Sequence, residues 1–216
     1  MSPAPPPRAV ELVVVGGSWG GLDAACALLD ELPAPLPVPV LLVLHRARSS
    51  SAHILRQAVH RCSGQDLVEV GDQNRLQPGA VHLAPPDYHV LVAEAEGDVS
   101  FSLSVEAPVE YSRPSIDVAF ESAAQALGAG LAAVLLSGAG RDGAHGLTEV
   151  GRRGGLVLVQ DPSTATRTEM PAAGLSAWRP DAVADPRVLG RRLRAVLPSP
   201  APAAAPARPH PDERLP

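Results

Sequence analysis

Apolar runs and helical stripes alternate along most of this chain. Residues 10–15 are apolar but for Glu11, which predicts a strand buried on both faces. Residues 21–32 then carry Leu22, Ala25, Leu28, Leu29 and Leu32 at helical spacing, and Pro33 stops that helix. A second apolar strand over 40–44 delivers His45 at its C-terminal end. Residues 51–61 read as helix, with Ile54, Leu55, Ala58 and Val59 as the expected inner face. Short strands are expected at 66–70, 81–84, 88–93 and 99–105. The tight turns at 85–87 and 96–98 predict that the last three form an antiparallel excursion at one edge. A helix over 115–127, a strand over 131–136, a helix over 144–153 and a strand over 156–159 follow. A polar loop over 160–167 and helices over 168–176 and 188–197 complete the pattern.

Strands alternating with helices predict an α/β class fold: a doubly wound, mainly parallel sheet with helices on both faces. The expected organisation is a tail over 1–9, one domain over 10–197, and a Pro/Ala-rich tail over 198–216. That last stretch lacks the apolar residues to bury a core and is expected to be disordered.

Composition narrows the chemistry. Apolar residues make up 45% of the 216 and aromatics only 3%, so the core must be built from Val, Leu and Ala. A net charge of −5 argues against a nucleic-acid partner. All 18 basic residues are arginine, which excludes a lysine-based phosphate loop or Schiff base. No apolar run is long enough to span a bilayer and no signal peptide opens the chain, so a soluble, cytoplasmic protein is expected, without membrane insertion. Cys26 and Cys62 lie in helical patterns without metal-ligand spacing and read as buried free thiols. The histidines are scattered, and neither a metal nor a cofactor is expected.

The first strand runs into Gly16-Gly17-Ser18-Trp19-Gly20, a match to G-x-S-x-G, the sharp strand-to-helix turn that exposes a nucleophilic hydroxyl. Serine becomes a nucleophile only when a base takes its proton, so a histidine and a carboxylate are needed nearby. Ligands of parallel sheets gather beyond the C-terminal strand ends. Three strands place reactive groups there: Ser18 after the first, His45 after the second, and Asp142 after the strand over 131–136. Among the other histidines, His53 and His60 lie on a helix, His82 alternates outward in a strand, His89 starts one, His145 follows Asp142, and His210 is in the tail. Asp142 also stands where a helix N-cap belongs, and Asp117 and Asp161 read as turn or cap residues.

Five segments together resemble the catalytic domain of the CheB-type protein-glutamate methylesterases. They are Gly16-Gly17-Ser18-Trp19-Gly20-Gly21, Leu42-Val43-Leu44-His45, 78–85, Arg113-Pro114-Ser115-Ile116-Asp117 and 136–144. The resemblance spans residues 10–197 with the segments in the family's order. It implies Ser18 as nucleophile, His45 as general base and Asp142 as the orienting carboxylate. It also implies hydrolysis of γ-glutamyl methyl esters on the cytoplasmic domain of a methyl-accepting chemoreceptor, with glutamine deamidation as a companion activity. Trp19 and Ala139 stand where the family usually has threonine and methionine. In two-domain relatives a phosphorylatable receiver covers the site; no stretch outside 10–197 is long enough to fold as one, so an ungated site is expected.

Overall fold

The computed structural model describes residues 9–47, 49–95 and 98–199. The expected disorder of 198–216 and the tail over 1–8 therefore lie essentially outside the described residues. Seven parallel strands form the main sheet in the order β10-β9-β8-β1-β2-β5-β3. These are β1 (Leu12–Gly17), β2 (Val40–Leu44), β3 (Asp66–Glu69), β5 (Ala80–Leu83), β8 (Leu131–Leu135), β9 (Leu156–Gln160) and β10 (Ala182–Ala184). The first strand is central, with β2 on one side and β8 on the other.

Alternation along the central strands builds two cores. Val13 and Val15, Leu42 and Leu44, and Ala132 and Val134 point to one face. There they meet α1 (Gly21–Leu29) and α6 (Pro186–Val196), with α2 (Ala52–Ser63) packed on α1. Leu12 and Val14, Leu41 and Val43, and Ala133 and Leu135 point to the other. That face is covered by α3 (Ile116–Leu127), α4 (Ala144–Arg152) and α5 (Glu169–Ala177). Helix α3 shows why such a helix forms: Ile116, Ala119, Phe120, Ala123, Ala124 and Leu127 make one buried stripe at helical spacing. Burying Phe120 alone contributes about 1.5–3 kcal/mol.

Several expectations are corrected. The strand over 81–84 is not antiparallel: β5 pairs in parallel with β2 and β3 inside the main sheet. The antiparallel part is a separate sheet of β4 (Asn74–Arg75), β7 (Asp98–Ser104) and β6 (His89–Ala95). The 85–87 turn therefore links two sheets rather than two paired strands. His82 points inward, because this second sheet covers its face; its Nε2–H donates to Gln77 O at 3.1 Å and its ring lies 5.1 Å from Phe101. Ile54 is 63% exposed and only Val59 of α2 is fully buried, since this helix covers the sheet near its outer edge. The two-residue β4 and the three-residue β10 were too short to carry a periodic signal.

Both cysteines are free and half-buried rather than fully buried. They line one groove between α1 and α2. Burial, reinforced by the neighbouring Cys62, pushes the Cys26 thiol up to about 12, so it stays protonated.

Candidate active site

The chain leaves β1 for β2 on one side and later returns for β8 on the other. The C-terminal end of β1 is thus the point where the sheet order reverses, and where a crevice opens in such folds. Ser18 follows β1 directly. Gly17 pairs with Leu44, and His45 N–H donates to Gly17 O at 3.2 Å. Ser18 and His45 are therefore the next residues on two strands about 4.8 Å apart. On the other side Ser18 N–H donates to Ser137 O at 2.9 Å.

The turn is tight because its surroundings are. Gly20 has φ 76°, and a side chain there would meet Thr166 Cβ at 2.5 Å. A Cβ on Gly138 would lie 2.5 Å from Met170 Sδ and 2.9 Å from Ser18 Cβ, so only glycine lets the loop after β8 pass the nucleophile candidate. Two residues that sequence reasoning left unassigned brace this loop. Ser137 Oγ–H donates to Trp19 O at 2.8 Å, and Gln160 Oε1 accepts from Ser137 N–H at 2.8 Å.

His45 Nε2–H donates to Asp142 Oδ2 at 2.7 Å. Asp142 is only 1% exposed, and three further donors converge on it. Ile116 N–H reaches Oδ2 at 2.7 Å, while Asp117 N–H at 2.9 Å and Ser115 Oγ–H at 2.8 Å reach Oδ1. Burial pushes the Asp142 carboxyl up, but the bonds from His45 and from the Asp117 and Ile116 amides outweigh it and hold the group below its usual range. The positive end of α3 thus stabilises the anion that faces His45. Asp142 caps α3 across space rather than its own helix, α4.

Asp117 returns the favour. Its Oδ1 accepts Gly146 N–H at 2.7 Å in the first turn of α4. The two helix starts hold each other, and the turn-or-cap reading of Asp117 is true of the neighbouring helix. Asp161 instead accepts from Ser163 N–H at 2.8 Å and makes no bond to His45. A further residue missed from sequence, His89, is buried behind the start of α3. Its Nδ1 accepts Ser115 N–H at 3.2 Å and its Nε2–H donates to Ala107 O at 3.1 Å.

Burial pushes the Asp117 carboxyl up to about 6, with the nearby Asp142 charge adding to the shift. A folded-state value above the unfolded one means stability that is present at low pH and lost as pH rises through about 4–6. Asp117→Asn has no such term. The stability difference between variant and wild type should therefore move in the variant's favour by about 1 kcal/mol between pH 5 and pH 7. Urea titrations at the two pH values measure it; a difference independent of pH would contradict the assignment.

Ser18 is half-buried and, among the described residues, its hydroxyl forms no hydrogen bond, to His45 or to any other group. His45 Nδ1 faces Ser112 Oγ at 3.2 Å. The ring is reversed relative to the serine-protease arrangement, in which Nδ1 faces the aspartate. Beside His45 opens a cleft of about 400 Å³ lined also by Arg46, Asp87, Tyr111 and Arg113. Trp19 is 71% exposed beside Ser18 and Tyr111 is fully exposed at the cleft rim. Among the described residues, no cluster of His, Cys, Asp or Glu is placed to hold a metal ion, and no helix is long and apolar enough to cross a membrane.

Residues 13–193 match the family described as CheB methylesterase. A protein of Leptospira interrogans, provisionally named a protein-glutamate methylesterase/protein-glutamine glutaminase, is 38% identical over 173 residues, covering 80% of this chain and 88% of that one. One from Nocardioides sp. (strain ATCC BAA-499 / JS614), named a protein-glutamate methylesterase/protein-glutamine glutaminase, is 38% identical over 94% of this chain. This chain spans just over half of that relative, 57% of its length. The crystal structure of the Thermotoga maritima CheB methylesterase catalytic domain superposes with a TM-score of 0.83 at 27% identity, covering 88% of this chain and 100% of that one. With its motifs, its sheet order and these relatives in agreement, the chain belongs to the CheB methylesterase family.

Proposed function

We propose that this chain is a serine hydrolase that removes methyl groups from γ-glutamyl methyl esters of methyl-accepting chemoreceptors, releasing methanol, in the cytoplasm. The names of its relatives support the same reading for deamidation of receptor glutamine. Residues 10–197 are the catalytic unit in this reading. The observation that carries it is the bond of 2.7 Å between the buried Asp142 and the half-buried His45, set in register beside Ser18 at the C-terminal end of β1.

In the proposed reaction Ser18 Oγ attacks the ester carbonyl. Because Asp142 accepts the Nε2 proton of His45, the lone pair that takes the serine proton is on Nδ1. Asp142 keeps the ring in that tautomer and stabilises the imidazolium. The Nδ1 proton then passes to the departing methoxide, giving methanol and an acyl-enzyme. Water adds next, His45 takes its proton, and collapse frees Ser18 and a glutamate carboxylate.

The oxyanion needs free N–H donors. Ser18 N–H and Gly138 N–H are already used by Ser137 O and Arg167 O. The amides of Trp19, Ala139 and Gly140 make no hydrogen bond among the described residues and are the proposed donors. Trp19 N–H is the amide after the nucleophile, the position that serves this purpose at such elbows.

The test is methanol release from a methylated chemoreceptor cytoplasmic fragment incubated with the purified chain. Release that tracks protein concentration is expected. Hydrolysis of p-nitrophenyl acetate without methanol release would point instead to a small-molecule esterase. Receptor binding without either reaction would point to a non-catalytic partner.

A further inference from the structure

We propose that Ser112 is a positioning residue for the general base: its hydroxyl holds Nδ1 of His45, the atom that must take the proton of Ser18. The inference rests on the triad proposed above. Asp142 is an ionised acceptor at 2.7 Å from Nε2, so Nε2 carries the ring proton and Nδ1 carries a lone pair. Ser112 Oγ, 3.2 Å away, therefore donates to it. One hydrogen bond leaves an imidazole free to swing about that contact; two, on opposite sides of the ring, fix its plane.

Local structure aims this hydroxyl. Val109 and Ser112 exchange backbone bonds of 3.2 and 2.9 Å, and Glu110 and Tyr111 between them have φ of 48° and 63°. Two consecutive positive φ values make a type I′ turn, which few non-glycine residues adopt. Next to it Arg113 Nη1 donates to Val105 O at 2.7 Å and to Glu106 O at 2.8 Å, closing the loop on itself. The backbone thus sets where Ser112 points.

A single lone pair accepts one strong bond at a time. With Ser18 Oγ unbonded, Ser112 holds the base in the resting enzyme, and its hydroxyl turns to accept from Nδ1–H as the serine proton moves to the ring. That bond is charge-assisted and favours the protonated ring, the state that forms in the reaction. Removing it should make protonation of the base harder. The charged groups around His45 are Asp142 beyond Nε2, and Arg46, Asp87 and Arg113 across the cleft. None of them is altered by a change at Ser112.

The experiment follows covalent labelling of the purified chain by a fluorophosphonate probe, as a function of pH, for wild type, Ser112→Ala and Ser112→Thr. It needs no natural substrate. Labelling is mapped by mass spectrometry. Wild type should label at Ser18. Ser112→Ala should label about threefold to tenfold more slowly at pH 7. Its acidic limb should lie about half a pH unit lower. Ser112→Thr, which keeps the hydroxyl on a half-exposed position, should restore both. An alanine variant with unchanged rate and limb overturns the proposal. So does a slowed rate with an unmoved limb, or one that threonine fails to rescue. Labelling at Ser112 itself would make Ser112 the nucleophile. A wild-type chain that never labels sinks the hydrolase reading as well, whereas failure at Ser112 alone leaves that reading intact.

Discussion

Ser18→Ala should lower methanol release by roughly 10⁴-fold or more while leaving the fold in place. The size of the loss follows from the mechanism: without Oγ there is no acyl-enzyme, and only the oxyanion donors and substrate binding remain to assist water. The survival of the fold follows from the structure. The hydroxyl makes no hydrogen bond among the described residues, whereas the backbone of Ser18 is held by Ser137 O through its N–H and by Gly21 N–H through its carbonyl. Alanine keeps both backbone bonds. The melting temperature should shift by less than about 2 °C. Turnover within tenfold of wild type in a folded variant would mean that another group attacks the ester.

Asp142→Asn should be nearly as damaging to activity, by roughly 10⁴-fold, and unlike Ser18→Ala it should also weaken the fold. The carboxylate accepts from four donors: His45 Nε2, Ser115 Oγ, Ile116 N and Asp117 N. An asparagine replaces one of the two acceptor oxygens with a donor. If the amide nitrogen faces His45, it also meets Ile116 N–H; if it turns away, it meets Ser115 and Asp117. Either way buried donors are left opposing a donor, at a cost of about 1–3 kcal/mol. Activity measured well below the melting transition separates the two effects. Asp161→Asn, whose partners are in its own turn, should keep wild-type turnover. Full activity in Asp142→Asn together with loss in Asp161→Asn would identify a different orienting carboxylate.

The strands that are buried on both faces were readable from sequence because their apolar runs leave no alternative. Residues 40–44 form β2 with those same limits, and His45 stands at its end as expected. Long amphipathic helices such as α3 were equally legible. What failed was what depends on distant partners. The inward turn of His82 is dictated by Phe101 on another sheet, and the exposure of Ile54 by the edge position of α2. At the candidate site, Ser18, His45 and Asp142 announced themselves by their positions at strand ends. Ser112 and His89 did not, because they act through long-range hydrogen bonds that no local spacing encodes. Ser115 carried a trace of signal in Arg113-Pro114-Ser115, but nothing in that tripeptide says that its hydroxyl reaches a carboxylate 27 residues away.

The order of strands in the sheet has a consequence for how the chain is made. Leu12 of β1 pairs with Leu131 of β8, so the central strand lacks one of its two neighbours until more than half the chain has been synthesised. Until then β1 presents an open, fully apolar edge, a template for aggregation. Pairings this far apart in sequence also make folding slow. Asp142, 97 residues beyond His45, arrives with the same segment that closes the edge. A nascent or truncated chain ending before this segment is therefore both aggregation-prone and unable to orient His45. Completion of the sheet and onset of catalysis should appear as one kinetic event, with esterase activity returning during refolding at the rate of β8 docking and not before.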